Sequence, residues 1–295
     1  MALKEMKKEY DVILVGAGPA GIFASYELML KGSNLNVLLI EKGRDIYHRS
    51  CPIKNKLIKK CPVQKNGEIG CLPSCSITSG FGGSGAYSDG KFNITNEFGG
   101  WMTDYLDDKE VLDLIKYVDD INLAHGAPDA LTDPYTKEVF DIEKRGIAVG
   151  LKLLRAQVRH LGTEVNLKVL QNIFETMKSH VDYAFETEVK DVIVEDNTVK
   201  GVVLKDGTKI NSKYVVLSVG RTGSSWLSET LKKYNISFSN NRVDIGVRVE
   251  TNDIIMNEIN EKLYEGKLLY RTSVARVART FCRNPSGHDG LENHH

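Results

Sequence analysis

A glycine-rich turn between two apolar runs constrains this chain more than any other feature. Asp11 to Val15 form a short, continuous apolar run, which is typical of a β-strand buried on both faces. The turn that follows contains Gly16, Gly18 and Gly21. A helix-like segment from Ile22 to Leu30 comes next. The pattern therefore predicts a strand, a tight turn and a helix in direct succession.

A second apolar run completes this unit. The helix is expected to stop near Gly32, because glycine is the usual residue just past a helix end. Asn36 to Ile40 read as a second buried strand, with Glu41 at its end. The whole unit has about 30 residues, the length of a βαβ crossover between parallel strands. We therefore predict an α/β fold with a three-layer, Rossmann-like domain.

The three glycines have the spacing of a dinucleotide fingerprint. Gly16 permits the tight turn, Gly18 lets a pyrophosphate approach the backbone, and Gly21 lets helix and strand pack closely. The N-terminus of the helix offers free N–H groups and a partial positive charge to the phosphates. Glu41 lies 20 residues after Gly21, where a carboxylate accepts the adenosine ribose hydroxyls and repels a 2′-phosphate. The sequence thus favours FAD or NAD over NADP.

The rest of the chain divides into a mostly helical segment and a β-meander. Helices are predicted at Asp108–Ala124, Lys144–Leu161 and Asn166–Ser179. Strands are predicted at Val181–Val194, Thr198–Leu204, Tyr214–Val219 and Val243–Glu250. Turns at Glu195–Asn197 and Lys205–Gly207 separate the first three of these strands, which indicates a meander.

Charge and hydropathy exclude several classes of protein. Lysine plus arginine and aspartate plus glutamate both number 39, whereas a general nucleic-acid binder needs a basic excess. The 295 residues contain no apolar run of the roughly 18 residues that a membrane span needs. The charged N-terminus has no apolar core of a signal peptide, so we expect a cytoplasmic protein.

Three segments resemble the large two-domain FAD flavoproteins. Gly16–Ile22 followed by Glu41–Gly43 is similar to the opening of those proteins. Glu188 and Val189 resemble the segment whose valine backbone holds the adenine. Tyr214–Gly220 resembles the later strand and glycine turn that pass near the flavin. The resemblance implies FAD, rather than NAD, as the cofactor.

Further motifs resemble a narrower family. Ser79–Asn93 is similar to the hallmark of a bacterial and archaeal family usually described as uncharacterised FAD-dependent dehydrogenases. The other motifs that resemble this family are Arg159–Thr163, Val219–Gly223 with Trp226, Val243–Glu250 and Arg279–Cys282. The resemblance covers nearly the whole chain to about Gly287. It implies a fold and a cofactor, but no substrate.

The predicted cofactor contacts include a loop of glycines and hydroxyls. Its glycines let the backbone lie against a ligand, and Ser84 and Ser88 can donate to phosphate or ribityl oxygens. Asp89 is expected to accept from a ribityl hydroxyl or to hold the loop through its own backbone. The full set predicted to contact FAD is Gly16, Ala17, Gly18, Pro19, Ala20, Gly21, Glu41, Lys42, Gly43, Gly82, Gly83, Ser84, Gly85, Ser88, Asp89, Val189 and Gly220.

These features favour an FAD-dependent oxidoreductase, a dehydrogenase with non-covalently bound FAD and a small-molecule substrate. The flavin would supply the hydride chemistry, and the protein would supply orientation and electrostatics. No second GxGxxG follows a strand, so electrons would come from NAD(P)H bound without its own domain, from a substrate or from a redox protein. Two alternatives stay open: a flavin-dependent reductase of unsaturated or isoprenoid lipids, and a non-catalytic, flavin-bound redox sensor or scaffold.

The expected domain organisation follows from the same resemblance. An FAD-binding domain would span residues 1–240, with a mostly helical insertion at about 101–178. A substrate or cap domain would begin within 241–289, and 290–295 are typical of a tag remnant. Two-domain flavoproteins of this type return to the FAD domain with a final strand and helix. Because Arg279–Cys282 lies close to the end, the resemblance implies an incomplete catalyst with a flavin site open on one side.

His160 is the candidate catalytic residue. It could anchor an anionic substrate or donate a proton beside the flavin. Alternatively, Arg159 and His160 could form a helix-terminal pair that interacts favourably with the helix dipole.

Four cysteines, Cys51, Cys61, Cys71 and Cys75, are candidate metal ligands. They could form a tetrahedral zinc or iron–sulfur site, a redox-active disulfide, or a set of packed thiols that supports the glycine loop. Only Cys71 and Cys75 are close enough in sequence for a local chelate, and no paired CxxC motifs occur.

Overall fold

The computed structural model describes residues 6–283 except 33, 60, 62–70, 72 and 73. The helices are α1 (Pro19–Lys31), α2 (Asp108–Ala124), α3 (Lys137–Ala148), α4 (Thr163–Met177), α5 (Ser224–Lys233) and α6 (Asp253–Leu263). The strands are β1 (Glu9–Val15), β2 (Val37–Ile40), β3 (Lys91–Ile94), β4 (Leu151–Leu154), β5 (Gln157–His160), β6 (Val181–Ala184), β7 (Val189–Glu195), β8 (Thr198–Leu204), β9 (Lys209–Leu217), β10 (Lys267–Arg271) and β11 (Val277–Arg279). Short 3₁₀ turns cover Gly83–Tyr87 and Met102–Asp104.

The described residues form two compact units. Unit 1 comprises residues 6–88 and 166–241, and unit 2 comprises residues 89–165 and 242–283. The segment from 89 to 165, most of which we expected as an insertion in the first domain, thus groups with the later part of the chain. The assignment of a substrate or cap function to the second unit stays a prediction. Among the described residues, no helix has the length and apolar character needed to cross a bilayer.

Unit 1 is built on one six-stranded mixed sheet of order β6-β2-β1-β9-β8-β7. The strands β6, β2, β1 and β9 run parallel, whereas β9, β8 and β7 form an antiparallel meander. Val12 on the central strand β1 is paired with Val37 on β2 and Tyr214 on β9. The parallel β1–α1–β2 unit confirms the predicted α/β, Rossmann-like fold.

The core of unit 1 is formed by the apolar runs of this sheet. Ile13 on β1, Leu38 on β2 and Val202 on β8 are fully buried. Ile22 and Tyr26 on α1 are also buried. At roughly 1.5–3 kcal/mol for each buried large apolar side chain, this packing is the main force that holds the strand–turn–helix unit in place.

The meander has the predicted turns but one more break than predicted. Asp196 and Asn197 both have positive φ, as a two-residue type I′ hairpin between β7 and β8 requires. The single strand predicted over Val181–Val194 is wrong. It is divided into β6 and β7 because the chain turns at Glu186, which has a φ of 52°.

The helix predicted at Lys144–Leu161 is also wrong. The helix α3 begins earlier, where the side chain of Thr136 accepts a hydrogen bond from the backbone of Val139 at 3.3 Å. It ends at Ala148, and Gly150 then takes a φ of 78°, which redirects the chain into β4 and β5. The chain leaves the helix at Gly150, which adopts the left-handed region, although the helical spacing of the apolar residues continues beyond it.

The strand predicted at Val243–Glu250 does not form in the structure. Its alternating side chains Val243, Ile245 and Val247 are 78%, 95% and 90% exposed. Alternation makes a strand only where a neighbouring strand accepts and donates backbone hydrogen bonds, and none is paired with this segment in the described structure.

Unit 2 contains two small antiparallel sheets, β11-β10-β4 and β3-β5. The helix α2 has the predicted bounds, because Asp107 and Glu110 form a reciprocal capping box at its start. Val139, Ile142, Leu153 and Leu263 form a buried cluster.

Candidate functional site

The glycine turn after β1 is shaped by contacts that only glycine allows. Gly16 has a φ of 104°, and a Cβ there would overlap the backbone of Ser218. A Cβ on Gly21 would overlap the carbonyl oxygen of Gly16. The Ser218 hydroxyl also donates to that oxygen at 3.0 Å, a contact that the motif did not reveal. Gly16 and Gly21 therefore have structural roles that do not depend on any ligand.

Gly18 differs from its two neighbours in the motif. It is the N-cap of α1, and it provides no side-chain hydrogen bond to the first turn of the helix. A Cβ on Gly18 would meet no protein atom within 4 Å. Pro19 and Ala20, the first helical residues, are exposed. The space above Gly18 is therefore open and faces the positive end of a helix.

Glu41 joins three separate segments of the predicted site. Its carboxylate is buried and accepts hydrogen bonds from the backbone N–H groups of Ala17 at 2.8 Å, Gly43 at 2.9 Å and Gly80 at 3.0 Å. An ionised carboxylate has about four lone-pair positions, so these bonds leave about one for another donor. The residue predicted to hold a ribose thus also holds the turn, the end of β2 and the start of the glycine loop together.

The glycine loop lies against the turn. The backbone N–H of Gly82 donates to the carbonyl of Ala17 at 2.8 Å. A Cβ on Gly83 would lie 3.1 Å from the Cα of Gly18. The structure therefore brings together the predicted segments Gly16–Gly21, Glu41–Gly43 and Gly80–Gly85, which we call the cradle. The predicted donors Ser84 and Ser88 are exposed at its loop.

Arg49 holds the glycine loop in place through hydrogen bonds to backbone carbonyls. It was not among the sequence-based candidates. Its buried guanidinium donates to the carbonyls of Ser76, Ile77, Phe81 and Gly83 at 2.7–2.9 Å. These bonds use all five of its N–H donors. Burial lowers the pKa of Arg49 to about 10, so the group is charged at neutral pH. No sequence signal distinguished it from the other arginines.

The other residues of unit 1 that were predicted to contact FAD lie near the cradle or in the six-stranded sheet. Burial lowers the pKa of Lys42, which follows Glu41. The carbonyl of Glu41 accepts from the backbone of Thr187 at 3.1 Å, two residues before the predicted adenine contact Val189. Val189 itself is buried at the start of β7. Gly220 has a φ of 61°, and a Cβ there would meet no protein atom within 4 Å.

Two predicted site residues, Asp89 and His160, belong to unit 2. His160 ends the strand β5, so the helix-terminal interpretation of Arg159 and His160 is wrong. Arg159 instead forms a buried, bidentate ion pair with Asp119, with both N–O distances at 2.7 Å. The imidazole of His160 contacts Asp89 Oδ1 at 2.9 Å.

The four cysteines are free and half-buried. Burial raises the pKa of the Cys71 thiol, and the neighbouring Cys75, Cys61 and Cys51 raise it further. The four thiols are therefore electrostatic neighbours. Within the described part of the chain, no group of three or more His, Cys, Asp or Glu side chains is arranged to hold a metal ion. The metal, redox and packing interpretations all stay predictions.

Comparison with known proteins gives one partial family match and several distant structural matches. Residues 142–270 match the family described as glucose inhibited division protein A. An uncharacterised protein of Methanosarcina barkeri is 57% identical over 44 residues, which is 15% of this chain and 11% of that protein. This chain therefore aligns with only a small part of that curated relative.

The structural matches are to larger proteins of low identity. L-amino acid deaminase from Proteus vulgaris is 16% identical with a TM-score of 0.42, over 80% of this chain and 52% of that protein. Glycine oxidase from Bacillus cereus is 14% identical with a TM-score of 0.42, over 77% and 60%. Glycerol-3-phosphate dehydrogenase from Bacillus halodurans, which was crystallised with FAD, is 14% identical with a TM-score of 0.39, over 77% and 37%.

Proposed function

We propose that the chain binds FAD non-covalently in the cradle and belongs to an FAD-dependent oxidoreductase. The observation that carries this proposal is the environment of Gly18. Its Cβ position is open, it starts a helix without a capping side chain, and the backbone of Gly83 lies beside it. A backbone surface of this kind, at the positive end of a helix, suits a pyrophosphate that must approach the chain closely.

The residues present also suit the remaining parts of the cofactor. The adenosine ribose would donate a hydroxyl to the lone-pair position of Glu41 that its three backbone donors leave open. Thr187 and Val189 would present their backbone to the adenine, as the resemblance to FAD proteins implies. The exposed hydroxyls of Ser84 and Ser88 would reach phosphate or ribityl oxygens.

Electrostatics support an anionic ligand at this place. Arg49 carries a buried positive charge under the glycine loop, and its hydrogen bonds go to carbonyl groups rather than to a carboxylate. The Glu41 carboxylate acts on this charge through space but does not contact it. The buried charge favours a pyrophosphate nearby, since it is screened less than a charge in water. Arg49 acts here through the loop and is a positioning residue.

Bound FAD would supply hydride transfer. The residues of the chain would perform the tasks of holding and orienting it: Gly18 and the first turn of α1 bind the phosphates, and Glu41 fixes the ribose. The substrate would be a small molecule, with NAD(P)H or a redox protein as a possible partner. The lipid reductase and the non-catalytic sensor are alternatives with the same cofactor.

A ligand panel tests the proposal directly. The purified chain is titrated with FAD, FMN and NADP, and binding is measured by flavin fluorescence or calorimetry. We expect FAD to bind at least ten times more tightly than FMN, which lacks the adenosine half. This ratio corresponds to a difference in binding free energy of about 1.4 kcal/mol or more. A protein that binds no FAD, or that binds NADP in preference, would contradict the proposal. Turnover of the FAD-loaded protein with NADH, NADPH or a dye acceptor separates an enzyme from a sensor.

A matched pair of variants places FAD in the cradle. Gly18→Ala adds a methyl group to the open space, so FAD affinity should fall at least tenfold. Gly100→Ala is the control, because a Cβ there also meets no protein atom within 4 Å but lies in unit 2. Equal FAD affinities of the two variants would remove Gly18 from the binding site.

A further inference from the structure

One segment of unit 2, residues 242–250, has apolar side chains on its surface and no strand beside it. Its odd-numbered residues are all apolar and 71–95% exposed: Val243, Ile245, Val247 and Val249. Its even-numbered residues are all charged except Gly246. Strict alternation of this kind is typical of a β-strand with one apolar face and one charged face.

The backbone of this segment is available for pairing. None of its residues has a positive φ, so no residue is held in the left-handed region that would oppose an extended conformation. Within the described part of the chain, none of its four apolar residues forms a backbone hydrogen bond. Unpaired N–H and C=O groups beside exposed apolar side chains are a template for pairing with another strand.

The order of the charges indicates which strand fits. When two antiparallel copies of the segment are centred on Gly246, Asp244 of one copy lies opposite Arg248 of the other. The same register places Arg242 opposite Glu250. Because the arrangement has two-fold symmetry, each pair occurs twice, and all four pairs join opposite charges. Opposite charges directly across an antiparallel pair stabilise it.

The apolar residues follow the same symmetry. Val243 lies opposite Val249 of the other copy, and Ile245 lies opposite Val247. Every apolar side chain of the segment therefore faces another apolar side chain on the same side of the paired strands.

Other registers lose this match. If the centre moves from Gly246 by one residue toward the N-terminus, Arg242 lies opposite Arg248. The same shift toward the C-terminus places Asp244 opposite Glu250. A parallel, in-register pair places each charge opposite the same charge. Of these registers, only the antiparallel one centred on Gly246 joins every charge to its opposite, so the pattern also disfavours the alternatives.

Surface contacts of these side chains within one chain do not prevent the pairing. Asp244 contacts Arg279 at 3.3 Å, and Arg242 contacts Asp104 at 3.1 Å. The side chains of Asp244 and Arg242 are each 66% exposed. Exposed ion pairs contribute little to stability, so they can be exchanged for pairs between copies.

We propose that residues 242–250 form an antiparallel β-ribbon with the same segment of a second copy of this chain. The second copy supplies the neighbouring strand that the segment lacks within one chain. A two-stranded ribbon is only marginally stable by itself, so the dimer should be weak and should form in the micromolar range. The pairing needs no cofactor, and its tests do not depend on FAD binding.

Two charge-reversal variants test the register. Asp244→Arg places two arginines opposite each other, and Arg248→Glu places two acidic residues opposite each other. Each variant alone should dimerise at least tenfold more weakly than the wild-type chain in analytical ultracentrifugation. An equimolar mixture of the two should regain the wild-type affinity. In the mixed dimer the introduced arginine faces the introduced glutamate, and the native Arg248 of one copy faces the native Asp244 of the other.

A control variant isolates the effect of position. Lys200→Glu makes the same change of net charge as Arg248→Glu, at an exposed position of β8 in unit 1, and should dimerise as the wild-type chain does. A wild-type chain that stays monomeric through the micromolar range would overturn the proposal. So would single variants that dimerise like the wild-type chain, or a mixture that dimerises as weakly as its components.

Isotope-filtered NMR of the unchanged chain tests the pairing without a substitution. Labelled and unlabelled copies are mixed, so that contacts between copies are observed separately. We expect methyl contacts between Val243 and Val249, which are about 20 Å apart within one extended strand and can therefore meet only between copies. A dimer without this contact, or contacts of the segment with β11 of its own chain instead, would contradict the proposal.

Discussion

The cradle of unit 1 is held by contacts to the backbone, whereas Asp89, His160 and Tyr264 of unit 2, here called the Asp89 cluster, are held by contacts between side chains. In the cradle, glycines and backbone N–H and C=O groups meet, and the side chains of Glu41 and Arg49 bind backbone rather than each other. In the Asp89 cluster, side chains bind side chains across 71 and 104 residues of sequence. The glycine turn of the cradle is specified by local sequence, but its three segments, like the side chains of the cluster, are brought together only by the way distant parts of the chain meet.

This difference has a consequence for mutations. A site built from backbone should keep its stability when a side chain is added on its open side. It should lose stability when a side chain is forced between two backbone segments. A side-chain cluster should fail when one partner is removed. The two sites should also respond independently, because each lies within its own unit.

The largest expected effect is in unit 2, on the buried pair of Arg159 and Asp119. Arg159→Met leaves the carboxylate buried without its partner, so the free energy of unfolding should fall by about 3–5 kcal/mol. Arg145→Met is the control, since the Arg145–Glu258 pair is about 60% exposed and should contribute at most about 1 kcal/mol. Urea denaturation measures both. The two sites should respond independently, so the folded Arg159→Met variant should bind FAD as tightly as the unchanged protein. Weaker FAD binding by this folded variant would contradict the independence of the two units.

The second-largest effect is a difference in stability between substitutions at two glycines of one motif. Gly21→Ala should destabilise the fold by about 3 kcal/mol, because its Cβ would overlap the backbone of Gly16. Gly18→Ala should change stability by less than about 0.5 kcal/mol while it weakens FAD binding. Thermal denaturation with and without FAD tests this pair. Equal destabilisation by the two substitutions would show that the space above Gly18 is not open in solution.

A smaller effect is expected at Glu41. Glu41→Gln keeps one acceptor oxygen but turns an amide NH₂ toward a backbone N–H, so it should cost about 1–2 kcal/mol of stability. If the ribose uses the remaining acceptor position, FAD binding should also weaken by about 1–3 kcal/mol. The control is Glu195→Gln, whose side chain is exposed at the other end of β7 from Val189. Lost stability with unchanged FAD affinity would confine Glu41 to a structural role.

The smallest effect concerns a surface pair at the edge of the βαβ unit. A hydrogen bond from Lys213 lowers the pKa of Asp11 from 3.8 to about 2. Because the folded-state pKa is the lower one, the stabilisation is present above about pH 4 and is lost as the pH falls toward 2. Lys213→Met should raise the pKa of Asp11 toward its ordinary value in an NMR titration of the carboxyl group. An unchanged pKa would mean that the backbone bond from Asn36 alone sets it.

The sequence predicted well where a local pattern and the fold agree. The βαβ unit, the meander turns and the helix α2 were read from periodicity, glycines and caps that act within a few residues. Predictions failed where one residue redirected the chain, as Gly150 does after α3, or where a regular pattern had no partner, as at Val243–Glu250. The four cysteines, the FAD contacts and the function of unit 2 remain predictions.

The sequence by itself determined the glycine turn, the acidic residue at the end of β2 and the α/β class, because steric limits on the backbone and burial of apolar runs act at short range. Only the tertiary structure decided that Arg49 fixes the glycine loop, that Glu41 joins three segments, and that Asp89, His160 and Tyr264 meet. Such contacts join residues far apart in the chain, and their partners are chosen by how the strands pair and pack, which no local pattern of residues records.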